Sequence, residues 1–218
     1  MKKQSKIPTI ISALLLAMCY NQQVNADFFI KDVIGLCTSA NITDINQLAS
    51  GDHISTNSYI ACAANSHAWI RSDDGTNIRL PPDSVVRLIN YKNDKESENG
   101  TATLEIIKGG LNILHTLANN YDVFYKLITT AGSIDYYGGS LKLRICNSDC
   151  DAIYPVPSNA VYMISDSDDT VFRNFSGGLT LDANAYTAIT NAKSLPIPTN
   201  QAMHVINHSP FLDFTDNH

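Results

Sequence analysis

Short runs of alternating apolar and polar residues, each closed by a turn signal, restrict this chain more than any other feature. Ile78 and Leu80 alternate with Asn77 and Arg79. Ala102, Leu104 and Ile106 alternate with Thr103 and Glu105, and Leu141, Leu143 and Ile145 with Lys142 and Arg144. Leu179 and Leu181 flank Thr180. A period of two sends successive side chains to opposite faces, so each run predicts a strand with one face inward and one wet. The punctuation agrees. DDGT at Asp73–Thr76 supplies an Asp-Gly hairpin turn. PPDS at Pro81–Ser84 cannot continue a central strand. KGG at Lys108–Gly110, YYGGS at Tyr136–Ser140 and SGG at Ser176–Gly178 place glycine where the backbone must bend. The prediction is an all-β chain with little helix.

Four segments fit that pattern less well. Asn90–Gly100 (NYKNDKESENG) reads as a charged loop. Residues 191–218 carry Pro196, Pro198 and Pro210 without clear periodicity and read as an extended tail over the surface, with Phe211–Phe214 as a docking point. Thr43–Ala49 offers one or two helical turns. Gly109–Leu117 is ambiguous, and its neighbours favour strand.

The N-terminus carries a three-part export signal. Lys2, Lys3 and Lys6 precede an uncharged run, Ile7–Tyr20, and a polar stretch ends at Ala26. Val24 and Ala26 occupy the −3 and −1 positions of a cleavage site after Ala26. The run is short for a bilayer span of about 20 residues, which weighs against a retained anchor. Cys19 invites a lipoprotein reading, but Met18 is larger than the residue wanted before a lipidated cysteine. The expectation is a cleaved signal at 1–26, a β domain at 27–190 and a tail at 191–218, placed in the periplasm or secreted. No later stretch is long and apolar enough to span a membrane.

Removing the signal takes three of the 15 Lys and Arg and none of the 21 Asp and Glu, leaving a net charge of −9. Such a surface repels phosphate backbones, which argues against nucleic acid and anionic membrane as partners. Four cysteines remain: Cys37, Cys62, Cys146 and Cys150. An even count in an oxidising compartment predicts two disulfides with three possible connectivities. Proximity favours Cys37–Cys62 and Cys146–Cys150. A redox pair or metal site lacks support, since no CxxC is present.

Catalytic signatures are missing. There is no HExxH and no GxSxG. His53, His67, His115, His204, His208 and His218 are scattered. His204 and His208 are four apart, but between prolines, where helical register is doubtful. Asp73 and Asp74 read as turn formers. Asp166, Asp168 and Asp169 read as a turn rather than a calcium loop, because the glycine and distal glutamate of an EF-hand are absent. Of the adjacent Tyr136 and Tyr137, one should point out of the sheet, either as a contact surface or as cover for its neighbours. No catalytic, cofactor-binding or metal-binding residue is expected.

Five segments occur in a characteristic order: GDHI at Gly51–Ile54; AWIRSDDGTNIRLPPDSVVRL at Ala68–Leu88; ATLEIIKGGLNI at Ala102–Ile113; KLITTAGSIDYYGGSLKLRI at Lys126–Ile145; and VYMISDSDDTVFRNFSGGLTLDANAYTAI at Val161–Ile189. This order resembles the FecR-type domain, over about residues 50–190. Gly139-Ser140 stands where Gly-Thr is usual, and Ala183-Asn184 where Ala-Gly is usual. The resemblance implies a twisted, solenoid-like or sandwich-like β domain and a role in protein–protein contact rather than catalysis. FecR-type regulators also carry a cytosolic sigma-binding segment and a membrane helix. Only six residues precede the apolar run here, so the chain looks like a free-standing exported FecR domain. Its expected partner is an envelope or extracellular protein. The alternative is a carbohydrate- or cell-wall-binding module or structural adhesin, which would need an exposed row of aromatics. A hydrolase would need a deep pocket with convergent polar groups.

Overall fold

The structure, a computed structural model, describes residues 28–94, 99–115, 122–146, 150, 159–167, 169–190 and 197–208. The expected signal and its cleavage site at Ala26 lie outside the described residues, as do Phe211–Phe214 and Asp168.

The expectation of an all-β chain is met. The described residues form seventeen strands and one helix. Their ladders fall into two halves that share one strand. The first half runs β4 (His53–Ile54), β1 (Phe28–Ile34), β6 (His67–Ser72), β7 (Asn77–Leu80), β9 (Asn99–His115), β12 (Gly139–Cys146), β13 (Ala160–Ser165), β16 (Thr187–Ile189) and β17 (Ile197–Pro198). The second runs β3 (Ile45–Gln47), β2 (Cys37–Ala40), β5 (Ser58–Cys62), β8 (Val85–Asp94), β9 again, β10 (Asp122–Thr129), β11 (Gly132–Tyr136), β14 (Val171–Asn174) and β15 (Gly177–Thr180). All pairings are antiparallel except β9–β10. The chain crosses from half to half, roughly a hairpin at a time, and advances in one direction. The fold is therefore a sandwich in cross-section and solenoid-like in its progression.

The predicted alternation explains the core. In the second half Leu88, Leu104, Leu127, Ile134 and Phe172 stand opposite one another across five strands. In the first, Ile70, Ile78, Ile113 and Leu141 do the same. Both rows enter a single buried cluster. Burying each such side chain stabilises by roughly 1.5–3 kcal/mol.

β9 changes halves at Lys108–Gly110. Gly109 has φ +75°, and a Cβ there would lie 2.5 Å from Ser84 Oγ and 2.7 Å from the Asp83 carbonyl. Only glycine fits that crossing. The DDGT turn forms as expected, with Gly75 at φ +89°. Asn184, standing where the resemblance wants glycine, takes φ +60°. Asparagine tolerates that region better than most residues do.

Three expectations are corrected. Residues 90–94 of the supposed loop continue β8, because Tyr91 is buried and holds the strand in place. Thr43–Ala49 contains β3 instead of helix. Residues 197–208 of the supposed extended tail form β17 and a helix, Asn200–Asn207, whose Ala202, Val205 and Ile206 are buried. Thr199 caps it, its side chain accepting from Gln201 N at 3.2 Å.

Candidate functional site

The last strand of the second half is left open. Among the described residues β15 pairs only with β14, and its four residues are all exposed. Its sequence, Gly177-Gly178-Leu179-Thr180, carries no charge and no proline, the usual means of protecting an edge. The β14–β15 turn holds up Phe175, 94% exposed. Beside it lies a cleft of about 410 Å³, lined by the β10–β11 turn, Thr129–Ser133, and by Arg173, Asn174 and Phe175. Arg173 Nε donates to Asp135 Oδ2 at 2.7 Å. That hydrogen bond, then the Asp135 charge, raises the guanidinium pKa further. The cleft walls are otherwise uncharged. This arrangement can pair an added strand through the outward half of the β15 backbone groups. Leu179, opposite Phe172, would offer that strand an apolar neighbour.

A second cluster is sealed within the core. Asp74 is 1% exposed. Its carboxylate accepts from Ser72 Oγ, from Thr76 N at 2.9 Å, from Thr76 Oγ1 at 3.1 Å and from Tyr125 OH at 2.9 Å. Four donors fill the acceptor capacity of an ionised carboxylate. Thr76 has one hydroxyl proton, which goes to Asp74, so Thr76 Oγ1 accepts from His115 Nδ1 at 2.5 Å. His115 Nε2 has no partner among the described residues. Tyr136 OH accepts from His115 N at 3.2 Å and donates to the Gly139 carbonyl. Burial, then the Asp74 charge, pushes the Tyr91 and Tyr125 phenols well above their ordinary range. Burial does the same to Tyr136. Tyr91 OH accepts from Asp74 N at 3.3 Å, so this internal hydrogen bonding ties the β6–β7 turn to β8, β9, β10 and β11.

The sequence-predicted residues land as follows. Cys37 and Cys62 face each other across β2 and β5 and form a disulfide, Cα atoms 4.1 Å apart. Cys146 and Cys150 form the second, at 5.1 Å. Asp73 and Asp74 do form the turn, but the core role of Asp74 was not read from sequence. Its only local sign is the Ser-x-Asp-x-Thr spacing. Asp166 serves the turn reading, accepting from Ser140 N at 2.5 Å. Tyr136 is buried and Tyr137 is 48% exposed, in contact with Phe124 at 5.1 Å between ring centroids. Tyr59, Tyr137 and Phe175 sit on separate strands or turns and form no single aromatic row. His53 and His67 stand apart on β4 and β6. His204 and His208 come together on the helix, rings 4.0 Å apart. Among the described residues no three His, Cys, Asp or Glu gather as a metal-binding group, and no helix is long and apolar enough to cross a membrane.

No protein-family profile matches the chain, and no curated protein does. Two solved structures of a candidate anti-sigma factor from Parabacteroides distasonis are similar to it, with TM-scores of 0.47 and 0.46 and identities of 13% and 14%. Each comparison covers 65% of this chain and 59% of the other, so the likeness spans less than two thirds of that protein's length. At those scores it carries no argument, and the functional reading rests on the geometry above.

Proposed function

We propose that this chain is an exported FecR-type domain that works by protein–protein contact, taking an extended segment of another envelope or extracellular protein as an added strand along β15. One observation carries the proposal: β15 is an uncharged, proline-free edge, exposed along its whole length beside Phe175 and its cleft. Proteins manage such edges or use them. In strand addition the backbone supplies affinity and alternate side chains supply specificity. The fitting partner segment is extended and presents an apolar residue beside Leu179. The export signal and the two disulfides fit an oxidising compartment.

The test is a pair of captures from envelope extract, one with the parent chain and one with Leu179→Lys, a charge placed on the edge. A protein retained by the parent and lost by the variant, with unchanged circular dichroism, is the expected result. Equal retention by both would remove β15 from the interface. Retention of glycan in place of protein would move the reading to a carbohydrate-binding module.

A further inference from the structure

The helix brings together two imidazoles that the sequence left four residues apart in an uncertain register. We propose that His204 and His208 form a chelating pair for a borderline divalent transition ion of the Zn²⁺, Ni²⁺ or Cu²⁺ class, a site separate from β15.

The argument begins with register. Thr199 caps the helix, and Ala202, Val205 and Ile206 are buried against Cys146, Ala160, Tyr162 and Ala188. Tyr186 OH donates to Asn207 Oδ1 at 3.0 Å and ties down the last turn. At about 100° per residue, the buried stripe turns positions 204 and 208 toward the opposite face. Residues four apart share a face and lie one turn above each other. The structure agrees: the ring centroids are 4.0 Å apart and the planes differ by 31°.

The tautomer of His208 is fixed as well. Its Nδ1 lies 2.9 Å from the His204 carbonyl oxygen. A carbonyl only accepts, so Nδ1 carries the proton and Nε2 of the neutral ring keeps its lone pair. Metal-bound histidines are commonly oriented in this way, one ring nitrogen donating to a backbone carbonyl and the other facing the ion. A histidine closing a helix C-terminus accounts for that hydrogen bond. It does not account for a second imidazole stacked beside the first.

Two imidazole nitrogens on one helical face suit Zn²⁺, Ni²⁺ and Cu²⁺. They do not suit Mg²⁺ or Ca²⁺, which want oxygen. Two protein ligands leave coordination positions for water or for a group from a partner, so the pair is an open site.

The test uses the purified chain and ZnCl₂ or NiCl₂ alone, read by calorimetry and by thermal shift. One ion per chain is expected, with a rise in Tm that grows with metal concentration. His204→Ala and His208→Ala should each weaken binding by at least about tenfold. His208→Gln keeps a donor near the carbonyl but loses the imidazole nitrogen, so it should also lose binding while circular dichroism and metal-free Tm stay unchanged. Met203→Ala should bind like the parent. No binding by the parent, full binding by either alanine variant, or equal binding of MgCl₂ would each overturn the proposal.

Discussion

The two halves of the sandwich end differently. The first ends on β17, where Pro198 has no N–H to offer a further strand. The chain then turns into the helix, which buries Ala202, Val205 and Ile206 over β12, β13 and β16. The proline closes that edge, and the helix covers the sheet face next to it. The second half ends on β15, which has no proline, no charge and four exposed residues. Among the described residues, the β17 end therefore carries an edge-closing proline that the β15 end lacks. An open edge risks aggregation unless a partner covers it, which is why β15 is the surface proposed above for pairing.

Both edges hang from one frame, the buried knot around Asp74, and the largest expected effect is one that removes the frame. Tyr91, Tyr125 and Tyr136 have phenol pKa values raised by burial. In the unfolded chain a tyrosine titrates near pH 10. Above that pH the unfolded chain releases phenol protons that the folded one retains, so ν_U falls below ν_N and stability drops as pH rises. The stabilisation is complete below about pH 10 and is lost as pH climbs toward the raised folded values. Absorbance at 295 nm should show these three phenols silent until circular dichroism reports unfolding, in one shared step. Early titration of all tyrosines in a folded chain would break the idea of a common sealed frame.

The closed edge supplies the next effect. Ile206 is 4% exposed beneath the helix. Ile206→Asp buries an unpaired carboxylate and removes apolar contact, at an expected cost of about 3 kcal/mol. That lowers Tm by roughly 6–12 °C for a chain of this size. Loss of helical circular dichroism with a concentration-dependent rise in light scattering would show that the helix guards the sheet face beneath it. A variant with parent Tm and no scattering would make the helix an ornament and weaken the contrast with β15.

How much of this contrast was legible in the sequence follows from range. The alternation at 78–80, 102–106 and 141–145 is local, and it marks β7, β9 and β12 correctly. Glycine at Lys108–Gly110 marked the crossing of β9 because a positive φ needs that residue. The cysteine pairs followed from proximity. The helix was missed because three prolines outweighed a short signal: Thr199 as cap, then Ala202, Val205 and Ile206 at helical spacing. The strand through 90–94 is hard to read because its polar, charged sequence offers one buried residue, Tyr91, and no clear alternation around it. The knot was illegible for a different reason. Asp74 and Tyr125 are 51 residues apart, and only the parallel β9–β10 pairing brings Tyr125 under the DDGT turn. Openness of β15 is likewise a property of topology: like β3 at the other end of the same half, it has one neighbour among the described residues, and nothing local in its sequence says so.

The smallest expected effect is the most pointed test of the comparison. Phe175 is 94% exposed at the tip of the β14–β15 turn, so the folded chain gains little from it. Its ring is not among the core clusters. Truncating it should change stability by no more than about 0.5 kcal/mol, the range for surface positions with no special role. Phe175→Ala should therefore melt within about 2 °C of the parent. Capture of the strand-adding partner should nevertheless weaken, since exposed aromatics at interfaces carry a large share of binding energy. The two measurements separate the ends of the molecule. At the closed edge, side chains hold the fold, and their loss is read in Tm. At the open edge, side chains face outward, and their loss is read in binding alone. A large fall in Tm for Phe175→Ala would place the β14–β15 turn with the closed edge, and the docking role of β15 would fall with it.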